Sequence, residues 1–252
     1  MRKYYTKAAM MVCAMGMSVA GFAGNKDRSG QAGATQLLIN PWGQSTGVFG
    51  MNTSYVKGLD AMKTNIAGLA NVNKTEVGFS HSMYLSGSGI SINNLGFAQN
   101  LGNIGVIGAN IMSMSFGEIP ITDYNNPEGG IGTYNPQFFN VMVGYSKSFS
   151  QNISAGAAAT FVSEQIPDAK ASGTVFEAGI QYVTGARDNF HFGITLRNIG
   201  TSMRYTGSGF SINSEAPEDE SYTINRQIPS EQFEMPTYLN LGISYDFYLD
   251  EN

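Results

Sequence analysis

In 252 residues the chain has one cysteine, one tryptophan, two histidines and eight prolines, and only 13% of its residues are charged. Cys13 lies within an apolar N-terminal run, which leaves the rest of the chain without a disulfide framework or a thiol nucleophile. His81 and His191 stand far apart with no zinc-ligand spacing around them, so no metal is expected. Gly102, Gly105 and Gly108 lack the following helix and Lys-Ser/Thr of a phosphate loop and read as small strand residues, so no cofactor is expected. With 14 Lys plus Arg against 19 Asp plus Glu, the balance argues against a nucleic-acid partner.

What is present begins with a leader. Residues 1–23 carry a basic start (Arg2, Lys3, Lys7), an apolar run from Ala8 to Ala20 and small residues at Gly21 and Ala23, the pattern of a secretory signal cleaved after Ala23. The run is shorter than the roughly 20 residues of a spanning helix. Met11 and Val12 precede Cys13 where a lipoprotein signal would place a small residue.

Beyond the leader, 31 Gly, 15 Phe and 13 Tyr favour one large all-β body. Phe190, Phe192, Ile194 and Leu196 alternate with His191, Gly193, Thr195 and Arg197, the two-residue period of a strand whose faces meet different surroundings. The same alternation runs over 139–145, 176–182 and 238–247. Weaker strands are expected at 46–56, 75–86, 90–100, 103–116 and 153–163. Ser150-Gln151-Asn152 and Ala186 to Asn189 read as tight turns, whereas 117–137 and 206–235 are long and show no period.

A soluble sandwich would expose Lys, Glu and Arg on one face. These strands carry few charges on either face. Short turns alternating with long loops, and aromatics near strand ends (Tyr145, Phe149, Tyr182, Phe190, Tyr205, Tyr245), fit a transmembrane antiparallel β-barrel.

One stretch departs from strand chemistry. In residues 54–70, "SYVKGLDAMKTNIAGLA", Leu59, Met62, Ile66 and Leu69 recur at three- and four-residue steps, with Gly58 and Asp60 suited to open a short helix and Gly68 to end it. Periodicity alone leaves open whether its apolar stripe lies on an outer surface or inside the barrel.

Asp27 to Ile39 ("DRSGQAGATQLLI"), followed by Pro41, Gly43 and Ser45, resembles the mature N-terminus of the PorV/PorQ family, outer-membrane components of the type IX protein secretion system with a FadL-like barrel. Asn65 to Ala70 is similar to the family's Asn-Pro-Ala-Gly-Leu-Ala, with Ile66 in place of Pro. Phe79 to His81, Gly193 to Gly200, and Met235-Pro236 leading to Leu241-Gly242 also resemble family strands. The resemblance implies that residues 24–70 form an N-terminal segment and plug, the stripe Leu59, Met62, Ile66 and Leu69 being its hatch, and that 71–252 form the barrel. Family members resembling this chain close with about fourteen strands, whereas the pattern above counts about nine, so the barrel of 71–252 is expected to be partial and truncated before closure.

By the same resemblance the expected function is non-enzymatic. Residing in the cell outer membrane among its lipids, the barrel would take up secreted cargo through its C-terminal signal domain and pass it from the type IX translocon toward the surface attachment proteins. A FadL-like channel for hydrophobic small molecules is the alternative, and a soluble exported β-sandwich binding module a third. No catalytic residue is nominated. Glu177, Gln181, His191 and Arg197 share the expected lumen face, as salt-bridged filler or as a polar contact for cargo. The 206–235 loop offers Phe210, Tyr222, Ile224 and Phe233 as anchors for partner docking, with disorder as the competing reading. Its acidic run "SEAPEDE" (214–220) lacks the spacing of a calcium loop and reads as solvated.

Overall fold

The computed structural model describes residues 30–216, 219–228 and 230–248; the expected leader over 1–23 lies outside them. The chain separates into Met1–Ala32 and Gly33–Asn252, and the second unit holds the strands. Its framework is one antiparallel eight-stranded sheet in the order β1-β2-β3-β6-β7-β8-β9-β12. These strands are β1 (Thr75–Tyr84), β2 (Ile90–Asn100), β3 (Val106–Ser115), β6 (Gln137–Ser148), β7 (Ile153–Ile166), β8 (Ala169–Thr184), β9 (Phe190–Gly200) and β12 (Tyr238–Tyr245). Two short pairs stand apart, β4 (Ile119–Pro120) with β5 (Thr133–Tyr134), and β10 (Ser211–Ala216) with β11 (Asp219–Gln227).

Because the strands alternate in direction, their connections fall at two ends. Residues 101–105, 149–152 and 185–189 are all short turns at one end. The long connections, 116–136 and 201–237, both lie at the other. At the short-turn end aromatics meet across strands: Phe190 and Tyr245 pack edge to face with centroids 4.6 Å apart, and Tyr182 stacks with Phe192 at 6.2 Å. Tyr205, expected in such a belt, sits instead at the long-connection end, packed beside Phe233.

The sheet curls. Ser54 Oγ donates to Ser244 Oγ on β12, one edge strand, while the Leu59 backbone N–H donates to Glu76 on β1, the other edge. Laid flat, eight strands would hold their edges about 34 Å apart at about 4.8 Å per strand. Ser54 to Leu59 reaches at most about 18 Å fully extended. It is shorter here, since the Tyr55 and Val56 N–H groups both donate to the Asn52 carbonyl in one helical turn.

The N-terminal segment threads the covered face of this curled sheet. Near the long-connection end Ala34 and Leu37 join a cluster with Val162, Val175, Met203 and Met235. Toward the short-turn end Leu59, Met62, Ile66 and Leu69 form a second core with Val72, Ala98, Val106 and Met142. Each such fully buried side chain contributes about 1.5–3 kcal/mol.

Three expectations are corrected. Residues 46–56 are not a strand but a helix, Gly43–Gly47, followed by turns. Positive φ at Phe49 and Gly50 breaks any extended run. Residues 54–70 hold two 3-10 turns, Gly58–Lys63 and Ile66–Asn71, rather than one helix. The break falls at Asn65, whose Oδ1 accepts from the Ala67 N–H to open the second turn while its Nδ2 donates to Thr53 and Ile180 carbonyls. Finally, 206–235 contains the β10–β11 hairpin, whose strands pair with each other apart from the large sheet.

The sheet-lining plug as candidate functional site

The plug is seated on glycine. Each of the eight strands sets a glycine against the segment from Trp42 to Leu69: Gly78, Gly96, Gly108, Gly144, Gly156, Gly179, Gly193 and Gly242. They lie in cross-strand pairs, Gly78 with Gly96, Gly108 with Gly144, Gly156 with Gly179, and Gly193 with Gly242. A Cβ on Gly144 would stand 2.8 Å from Ile66 Cδ1, and one on Gly96 2.8 Å from the Trp42 ring. At Gly193 the obstacle is backbone, with Ser54 Cα 2.6 Å away. Backbone cannot yield as a side-chain tip can, so the strand and plug main chains approach more closely than any larger residue permits.

The polar residues expected in the lumen are brought to this same interface. Arg197 Nε donates to Glu177 Oε2 at 2.7 Å and Nη2 to Oε1 at 3.2 Å, a two-pronged pair. Its Nη1 donates to the Lys63 carbonyl of the plug. Gln181 Nε2 donates to the Val56 carbonyl at 3.0 Å and more weakly to Thr53 at 3.3 Å. Arg197 and Gln181 therefore hold plug backbone carbonyls, and Glu177 fixes Arg197 in place. His191 is separate: it lies near the short-turn end, 3.0 Å from Asp246, and does not touch the plug.

Within the plug, burial raises the Asp60 carboxyl pKa against the opposing bond from the Ser45 N–H. Lys63 moves the other way, down to about 8, through burial and then the repulsion of Arg197, partly offset by Glu177. Asn94, Asn110, Asn140 and Thr160 also bury side-chain polar atoms without a partner among the described residues.

At the long-connection end a second polar knot joins three segments. Glu164 on β7 accepts from Gln36 Nε2 at 3.0 Å and from the Tyr205 hydroxyl. Burial, with this carboxylate alongside, raises the Tyr205 pKa. Phe233 lies over Gly33, where any Cβ would collide with its ring, and packs on the Ala34–Leu37 cluster. Phe233 is thus a clamp between loop and plug rather than a free anchor. Phe210 is half-buried beside the β10–β11 hairpin, and Tyr222 and Ile224 lie on β11, Ile224 paired with Ser214 and Tyr222 within its irregular register. Among the described residues no group of three or more His, Cys, Asp or Glu is placed to hold a metal.

The glycine seat is the feature that sequence reading passed over. Its signal was present as a glycine on every strand, on the face opposite the large apolar residues, but each glycine read only as a small polar-face residue. The chain matches no protein-family model, and no curated protein matches it.

Proposed function

We propose that the chain is an outer-membrane β-barrel of the PorV/PorQ kind, FadL-like in architecture and non-enzymatic, that docks secreted cargo for the type IX system. One observation carries the membrane part. Every strand of the sheet turns large apolar side chains away from the plug into the open, including Phe79, Leu95, Ile111, Val143, Phe161, Ile180, Ile194 and Ile243. An exposed apolar face of that extent is untenable in water and suits lipid. The aromatic belt at the short-turn end and the gathering of both long connections at the other support the same reading.

The secretion role rests on the resemblance of Asp27 to Ser45 and Asn65 to Ala70. The long-connection end, bearing the β10–β11 hairpin, is the proposed docking side for the C-terminal signal domain of cargo and for translocon and attachment partners. Tight seating of the plug on glycine and the grip of Gln181 and Arg197 favour docking over the FadL-like channel, which needs a plug that moves aside.

Replacing Ser208–Ile228 by a short Gly-Ser turn, keeping the Tyr205 and Phe233 clamp, should preserve outer-membrane level and heat-modifiable mobility yet lower cargo export. It should also deplete cargo crosslinked and copurified from native membrane. Export at the normal rate would exclude the hairpin as the docking element.

A further inference from the structure

Between the plug and β1 lies a cleft of about 400 Å³, with Trp42, Lys57, Asp60, Asn71 and Glu76 in its lining. Asp60 is 7% exposed, and one of its carboxylate oxygens is spent: Oδ2 accepts from the Ser45 N–H at 3.0 Å, while Oδ1 has no partner among the described residues. The Trp42 indole N–H is buried and likewise without a partner among them. A carboxylate oxygen and a donor left open at one cleft are each costly, and neither satisfies the other.

Two further oxygens belong to the same cleft. Glu76 Oε2 accepts from the Leu59 N–H at 3.0 Å, which fixes the side chain and leaves Oε1. Asn71 Nδ2 donates to the Gly68 carbonyl at 3.1 Å, which fixes the amide and leaves Oδ1. Asp60, Glu76 and Asn71 are thus each oriented through one atom and present an oxygen through the other. Three acceptors so arranged match the three N–H donors of a primary ammonium. The charge agrees, because Asp60 and Glu76 against Lys57 leave the lining one negative charge in excess.

We propose that this cleft binds a small primary amine that also carries a hydrogen-bond acceptor, its ammonium held by Asp60, Glu76 and Asn71 and its acceptor by the Trp42 indole N–H. An amino alcohol is the simplest such ligand. A calcium ion takes about six to eight oxygens, more than these side chains offer, and no third acidic or histidine ligand stands with Asp60 and Glu76 among the described residues. An anion would meet two carboxylates, and a quaternary ammonium has no N–H for the three oxygens. The site draws on the plug and β1 alone and does not depend on the cargo-docking reading, so either can fail without the other.

The test uses the full chain extracted in a non-ionic detergent, kept in phosphate buffer and titrated calorimetrically with ethanolamine, ethylamine and choline. Ethanolamine should bind at least about tenfold more tightly than choline, a difference of about 1.4 kcal/mol, with ethylamine between them. Asp60→Asn, whose one oxygen is kept by the Ser45 N–H, should lose that preference while retaining heat-modifiable mobility. Trp42→Phe should bring ethanolamine down to the level of ethylamine. Displacement of ethanolamine by a short-chain phosphatidylethanolamine, with phosphatidylcholine inert, would support the site and make a lipid headgroup the source of its amine; ethanolamine binding that neither lipid displaces would support it with a free amine as the source. Choline bound as tightly as ethanolamine by the wild-type chain would overturn the proposal, whatever the fate of the variants. So would no binding of ethanolamine, or its preference undiminished in Asp60→Asn.

Discussion

The two faces of the sheet reverse the arrangement of a water-soluble protein. On β9, Ile194 is 50% exposed while its neighbours Thr195 and Arg197 are buried; on β8, Phe176 and Ile180 are open while Glu177 and Gln181 are enclosed. On the inner face Gln181 and Arg197 meet plug carbonyls, and Glu177 is paired by Arg197. Apolar groups on the outer face are stable only if water is not what they meet. The face that looks like a core by composition is therefore the outside, and the face that looks like a surface is where the packing is tightest.

Placing a charge on each face should break this symmetry most sharply. Ile194→Arg or Ile243→Arg sets a guanidinium on the open face and is expected to cost about 2–4 kcal/mol near the bilayer midplane, enough to block assembly. Asn240→Arg, on the opposite face of β12 and lining an open cleft against the plug, should be tolerated. Loss of the heat-modifiable form measures both. Equal losses for the two sets would mean that the open face does not meet lipid.

The inner face is broken by volume rather than charge. Gly193→Ala and Gly144→Ala should destabilise by about 1–3 kcal/mol, because the added methyl enters space held by Ser54 backbone or by Ile66. Gly47→Ala, where nothing lies within 4 Å, is the neutral control. Denaturant midpoints, with protease nicking of the plug as a second readout, separate the two. If Gly193→Ala behaves like Gly47→Ala, the plug is not seated as tightly as the backbone approach requires.

Strand positions were legible in sequence because period-two alternation is strong where two faces meet unlike media. Of the four clearest expectations, those around Val141, Ile180 and Ile194 fall within sheet strands, and 238–247 overruns β12 by two residues. The plug was legible only as an apolar stripe. Leu59, Met62, Ile66 and Leu69 are all buried together, but their geometry is that of two 3-10 turns fixed by Asn65, whose partners Thr53 and Ile180 are remote in sequence. The pairing of Glu177 with Arg197 follows from neighbouring strands sharing a face. That Arg197 would also reach plug backbone does not, since no local pattern encodes a contact across the interior. Lys63 was invisible for the same reason: in sequence it is an ordinary helix-end lysine, and only the fold encloses it.

That enclosed lysine gives the smallest of the expected effects and the one that most finely tests inside against outside. In the unfolded chain Lys63 keeps its proton up to its ordinary value of 10.5, whereas in the folded chain it releases it near 8. Between these values the unfolded state binds more protons, so stability rises with pH across that window and is flat below it. The slope within the window approaches about 1.4 kcal/mol per pH unit. Raising the pH from about 7.5 to about 9 should therefore stabilise the plugged state by on the order of 1 kcal/mol, read as a shift in urea midpoint. The informative quantity is the wild-type shift minus that of Lys63→Met. The variant lacks the buried charge and should show a flatter profile together with higher stability at pH about 7. Parallel profiles for the two proteins would place the Lys63 ammonium in water, and the covered face would then be wetter at this point than its burial implies.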